Sequence, residues 1–193
     1  GDVWLMRFEG DGEPPYSGPT WHVSVDGSDD NDGSEENPFA TIQAGINAAS
    51  NGDTVLVEAG TYVENIDFIG KNIAVIGEDR ETTIIDGNQS DTVVRIVNGE
   101  QTNSQLKNFS ITGGLTLNTG SGGGIHCGNS SPTLSNLMIY NNEGLNAGGV
   151  MINDGAAPLI ENTLIYENSS NWGGGLWLEG PATLRNVTIT DNI

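Results

Sequence analysis

The sequence is short of positive charge, of aromatic side chains and of cysteine. Only 6 Lys and Arg stand against 26 Asp and Glu in 193 residues, a formal net charge of −20. Binding a nucleic-acid backbone or an anionic bilayer depends on clustered cations that release counterions, so both roles are excluded. No apolar run approaches the roughly 18 residues a membrane helix needs, so no membrane insertion is expected. Gly1 opens the chain without a basic-then-apolar leader, and the chain reads as a mature or trimmed fragment. The single cysteine, Cys127, cannot close an internal disulfide and leaves the compartment open. Acidity and scarce lysine favour an extracellular or cell-surface setting, bacterial in type.

What is present is repetition. Apolar residues make up only 35% of the chain, but they fall in short, evenly spaced runs between 28 glycines, which argues against disorder. Aligned on one asparagine, Leu106–Thr112, Leu134–Tyr140, Ile160–Tyr166 and Leu184–Thr190 repeat at offsets of 28, 26 and 24. Gly123-Gly124-Ile125-His126-Cys127, Gly148-Gly149-Val150-Met151-Ile152 and Gly174-Gly175-Leu176-Trp177-Leu178 repeat in phase with them. These are strand-length alternations broken by Gly, Asn and Pro, not helical stripes. No unit can bury its apolar side alone, so equivalent strands must stack around a common core. The fold expected is all-β, a parallel β-helix.

In that arrangement Ile111, Ile139, Ile165 and Ile189 form one inward column, and Leu106, Leu134, Ile160 and Leu184 another, with Cys127 also inward. Asn108, Asn136, Asn162 and Asn186 share one turn, where an asparagine ladder is expected. The alternatives are plain exposed turn residues or glycosylation acceptors, since Asn108-Phe109-Ser110 and Asn186-Val187-Thr188 match the sequon. The glycine pairs are expected to supply positive φ and close approach between windings.

Asn37-Pro38 reads as an N-cap and first-turn proline, and Phe39, Ile42, Ile46 and Ala49 follow at helical spacing. An amphipathic helix over about 38–50 would then cover the apolar cross-section of the first winding. About five rungs follow, stacking to about 24 Å at the strand separation of a sheet. Val3–Phe8 reads as one strand, so residues 1–20 are taken as strand and linker, either the end of a preceding domain or a strand lying along the solenoid, and 21–193 as the solenoid. The repeat pattern persists to Ile193, so the C-terminal end is expected to be uncapped and truncated, or completed by a partner through end-to-end or lateral self-association.

Asn37-Pro38-Phe39-Ala40-Thr41-Ile42-Gln43, then Gly52-Asp53-Thr54-Val55 and Ala59-Gly60-Thr61-Tyr62, resemble the cap and first coil of the pectate-lyase-like right-handed β-helix superfamily over about residues 22–87. The resemblance implies a right-handed helix. Ala59–Ile66 and Lys71-Asn72-Ile73 look like the opening of pectin methylesterases, but the paired Asp, Gln and Arg of that family's catalytic segments find no counterpart downstream. The later Gly-Gly-x-aliphatic and aromatic-x-Asn pattern is similar to repeats of chlamydial polymorphic outer-membrane proteins, which implies adhesion rather than catalysis.

Three constellations bear chemistry. Asp26, Asp29, Asp30 and Asp32 crowd one loop and offer hard oxygen ligands for Ca²⁺, although the spacing is not that of an EF-hand. His126, Met151 and Trp177 form an outward row, with Gly128, Asn153 and Glu179 two positions on. Such a row suits an extended sugar chain, because an aromatic face covers a pyranose while amides and carboxylates take its hydroxyls. Trp172 and Trp177 lead the binding candidates, with His126 and Asn153. Tyr140 and Tyr166, beside Met138 and Leu164, form a second outward patch of interface or ligand-binding character.

Catalytic candidates are few. Asp154 and Glu179 occupy neighbouring rungs and can meet the carboxyl spacing of about 6.5–9.5 Å used by inverting glycosidases. His126 is a further candidate base. A uronate lyase needs an Arg or Lys base and a cation, and the row reads as offering no base. Lys107 and Arg185 lie three rungs apart, leaving only Arg80 and Arg95 in the irregular region. The reading is therefore a secreted or cell-surface module for carbohydrate binding or adhesion, taking a polysaccharide or a surface protein, without catalysis of its own. A cation-dependent lyase or glycoside hydrolase is the alternative, and a structural spacer the third.

Overall fold

The computed structural model describes residues 16–117 and 121–193. The strand expected at Val3–Phe8 lies outside the described residues. The chain is an all-β parallel solenoid of about five turns with a single helix among the described residues.

Three faces enclose the core. The first stacks Thr20–Val23, Thr54–Val57, Ala74–Gly77, Gln105–Lys107 and Thr133–Ser135, then the opening halves of Leu159–Tyr166 and Thr183–Thr190, every pair parallel. The second stacks Gly60–Val63, Thr83–Asp86, Ser110–Thr112 and Met138–Tyr140 with the closing halves of those two long strands. The third stacks Ile66–Asp67, Val94–Ile96, Ile125–Gly128, Val150–Asn153 and Leu176–Leu178. A narrow ribbon of Leu115–Thr116, Glu143–Gly144 and Ser169–Ser170 joins the second face to the third. The solenoid begins one strand before the helix, with Thr20–Val23 paired to Thr54–Val57.

Alternation sets which residues enter. Leu106, Leu134 and Ile160 pair in one column and Ile111, Ile139 and Ile165 in another, all fully buried. Burying each such side chain contributes about 1.5–3 kcal/mol. Leu184 and Ile189 keep the register but are 41% and 44% exposed, because no further described winding lies against them. Cys127 is buried beside this aliphatic stack, and burial, aided by Glu100, pushes its thiol up to about 12.

Two corners carry asparagines of different kinds. Asn108, Asn136, Asn162 and Asn186 all take the left-handed conformation, with φ from 50 to 64°. Asn136 Nδ2 donates to Asn108 Oδ1 at 2.9 Å and Asn186 Nδ2 to Asn162 Oδ1 at 2.8 Å, with no hydrogen bond between the side-chain amides of Asn136 and Asn162, so this corner holds two pairs. A second row, which the repeat alignment did not single out, runs through the buried Asn142 and Asn168 to the half-buried Asn192. Asn142 Nδ2 donates to Asn168 Oδ1, and Asn168 Nδ2 to Asn192 Oδ1, each at 3.0 Å. The glycine pairs serve contact rather than φ: a Cβ on Gly149 would lie 2.3 Å from the carbonyl oxygen of Gly175.

The helix is shorter than the sequence suggests, running Ile42–Ala48 with Thr41 as N-cap. Residues before it are held extended: Phe39 bridges Val23, and its amide donates to the His22 carbonyl at 2.9 Å. Ile42 and Ile46 cover the core, and Glu64 receives the amides of Ile42 and Gln43 at 2.8 and 3.0 Å. Lys71 Nζ closes the other end on the carbonyls of Ile46 and Asn47, both at 2.8 Å. Among the described residues no helix is long and apolar enough to cross a membrane.

Candidate functional site

The outer side of the third face carries one unbroken register. Asp67, Arg95, His126, Met151 and Trp177 are partners in successive strands. At sheet spacing the row is about 19 Å long. The irregular length of the early windings hid Arg95 from sequence alignment. It stands on the row, next to His126, which corrects the expectation that the row has no basic residue.

At the acidic end, Arg95 Nε lies 3.7 Å from Asp67 Oδ2, the outer reach of an ion pair. His126 Nε2 meets Asn153 Oδ1 at 3.0 Å, while Nδ1 is buried without a partner among the described residues. With Asn153 Oδ1 accepting, Nε2 carries the proton and Nδ1 keeps a bare lone pair. Burial holds this imidazole below its ordinary pKa, and Arg95 pushes in the same direction, against the Asn153 hydrogen bond and Asp154. Burial and Arg95 thus both disfavour the imidazolium form.

At the aromatic end, Trp172 is 71% exposed and stands edge-on to Trp177, ring centroids 6.2 Å apart at 71°. Trp177 Nε1 donates to Glu179 Oε1 at 2.9 Å, which fixes the indole and engages the carboxylate assigned to hydrolysis. Asp154 sits in the exposed left-handed turn after Asn153, one winding away from Glu179. Met151, placed on the surface by the sequence, is 1% exposed because the Gly122 backbone presses against it, where a Cβ would lie 2.9 Å from that of Met151. The row therefore has two accessible ends and a closed centre.

Other candidates are not brought to this site. Tyr140 and Tyr166 lie on the second face, stacked at 5.1 Å and 20°, so each covers a ring face that a sugar would need. Two carboxylates of the aspartate loop are engaged by the chain itself. Asp29 Oδ1 receives the amides of Ala40 and Thr41, both at 2.9 Å, and Oδ2 the Thr41 hydroxyl at 2.8 Å. Asp32 binds the hydroxyl and amide of Ser34, which hold its carboxyl below the usual range. Asp26 and Asp30 are exposed, and among the described residues no three His, Cys, Asp or Glu side chains form a metal-binding group.

A family model described as the right-handed beta helix region of Pel9A-like proteins matches residues 21–183. The uncharacterized protein YwoF of Bacillus subtilis strain 168 is 37% identical over 76 residues, covering 37% of this chain and 16% of its own. The solved structure of pectin methylesterase PemA from Erwinia chrysanthemi superposes with a TM-score of 0.62 at 14% identity, over 89% of this chain and 55% of its own. A pectin methylesterase mutant in complex with a hexasaccharide superposes with a TM-score of 0.50 at 13% identity, over 89% of this chain and 61% of its own. The chain thus spans less than two thirds of the length of each protein it matches, and the likeness to the solved structures is one of fold.

Proposed function

The chain belongs to the Pel9A-like right-handed β-helix family, and on that premise we propose that it is a secreted or cell-surface module that binds a polysaccharide, without catalysis of its own. The observation that carries this reading is the exposed Trp172 set edge-on to the half-buried Trp177, which ends the row of hydrogen-bonding side chains. An indole face takes the apolar side of a pyranose, and Glu179 orients Trp177 for it. Asn153, Asp154 and Arg95 then serve hydroxyls further along the chain of sugars. A structure sharing the fold is that of a pectin methylesterase in complex with a hexasaccharide, which favours a polysaccharide ligand.

Glycan-array retention tests the reading. Trp177→Ala and Trp172→Ala should each weaken retention about tenfold, equivalent to about 1.4 kcal/mol, while no cleaved or unsaturated product accumulates. Retention unchanged in both variants would remove the proposal. Absence of any glycan ligand would favour the spacer reading instead.

Arg95 beside His126 supports a second reading, a lyase or hydrolase acting on an acidic polysaccharide. A base near a uronate α-carbon works only if the carboxylate is neutralised by a cation. The check is incubation with polyuronates with and without calcium: unsaturated or new reducing ends, lost in Arg95→Gln, would establish catalysis and displace the binding-only reading.

A further inference from the structure

We propose a second ligand site, on the second face of the solenoid, that receives the carboxylate of an acidic saccharide through Arg80. The backbone that presents Arg80 is fixed. Asp79 Oδ1 receives the Glu81 amide and Asp79 O the Thr83 amide, both at 2.8 Å, and the Arg80 carbonyl receives the Ser110 hydroxyl at 2.8 Å.

From this turn the side chain reaches from the winding of Ser110 to that of Asn162. Its Nη1 ends 3.4 Å from the Asn162 carbonyl, longer than an ordinary hydrogen bond. Among the described residues no carboxylate pairs with it, in a chain where acids outnumber bases 26 to 6. An unpaired guanidinium with five donors in a planar fork suits a carboxylate that comes from outside.

The surroundings match that ligand. A groove of about 260 Å³ is lined by Arg80, Asn162, Thr163, Leu164, Asn186 and Thr188, with no acidic side chain. The outer amide row breaks at this point: Asn162 Oδ1 receives Asn186, but Asn162 Nδ2 donates to no other amide, so it remains available. Guanidinium, amide and the exposed Thr188 hydroxyl converge on the opening, and Leu164 gives an apolar floor. Amides and hydroxyls around one cation suit a hydroxyl-rich acid better than a polypeptide acid. The groove is on a different face from the tryptophan pair, and the site does not depend on the reading given for that pair.

The test is a titration of isotope-labelled protein, followed by NMR, with a uronate trisaccharide, its carboxyl-reduced neutral form, sulfate and oligoglutamate. The uronate alone should shift Arg80, Asn162 and Thr188. Arg80→Gln should weaken binding about tenfold or more. Asn162→Gly, which keeps the left-handed backbone but removes the amide, should weaken it less. Trp177→Ala should leave these shifts in place. Equal shifts from the neutral sugar, the same shifts from sulfate or oligoglutamate, or unchanged binding in Arg80→Gln would each overturn the site.

Discussion

Asn142 and Asn168 are joined inside the solenoid by both donors of the former: its backbone amide at 3.1 Å and its Nδ2 at 3.0 Å share the single Oδ1 of Asn168. Asn168 Nδ2 in turn closes on the carbonyls of Ile139 and Tyr166 at 2.9 and 3.0 Å. One side chain therefore satisfies buried groups on two windings. Asn168→Ala should cost about 3 kcal/mol or more, because each stranded buried polar group costs about 1–3 kcal/mol. Asn186→Ala, on the exposed corner, should cost less than about 1 kcal/mol by the same reasoning. Denaturant midpoints at constant m-value decide between them, and equal losses would count against the structural role given to the inner row.

Gly149 is expected to tolerate no side chain. Its Cβ position lies 2.3 Å from the Gly175 carbonyl oxygen and 2.9 Å from Ile165 Cγ2, both on the adjoining winding. Gly149→Ala must push two windings apart, and a loss of about 2 kcal/mol or more is expected. Gly155→Ala is the control for space, since nothing lies near its Cβ position, although its φ of 75° leaves a smaller backbone cost. Thermal unfolding of the two variants should rank Gly149→Ala as the less stable.

His126 should titrate below the ordinary imidazole range, as burial and Arg95 both disfavour its cation. A base more acidic folded than unfolded adds stability that is complete above the unfolded pKa and is lost as pH falls through the folded value. Arg95→Gln removes the repelling charge and should move the imidazole titration upward, read from its ring-proton shifts. An unchanged midpoint would separate the two residues electrostatically.

Glu64 shows the opposite sign. Burial raises its carboxyl pKa, although the amides of Ile42 and Gln43 pull it down, and Asp29 adds to the rise. A carboxyl that is more basic when folded favours folding most below its unfolded pKa, and that contribution fades as pH rises through the folded value. The melting temperature of the parent minus that of Glu64→Gln should therefore decline with rising pH across the weakly acidic range. A flat difference would remove this residue from the pH response.

The repeats were legible because inward isoleucines recur beside a shared asparagine, and parallel stacking turns such recurrence directly into register. Asn142, Asn168 and Asn192 were as regular, each three positions after Ile139, Ile165 and Ile189, and the aromatic-x-Asn pattern touched Asn168, but nothing in the spacing tells that these amides turn inward and bond to one another. Arg95 was hidden because windings of unequal length cannot be aligned by sequence period. Met151 showed the right parity for the surface, yet parity does not reveal backbone folding over a side chain from the loop before its strand. The hydrogen bonds from Ala40 and Thr41 to Asp29 in the aspartate loop were not legible, since they depend on a chain crossing that sequence does not display. Pro38 drew the helix start too early because the pairing of Phe39 with Val23 overrides its local preference.

Cys127, enclosed between windings and with its thiol pushed up to about 12, is a built-in clock for opening of the solenoid. Alkylating reagents attack the thiolate, so labelling must wait until strands part and water reaches the sulfur. The labelling rate then reports breathing in the middle of the stack, away from both extremities, without any introduced probe.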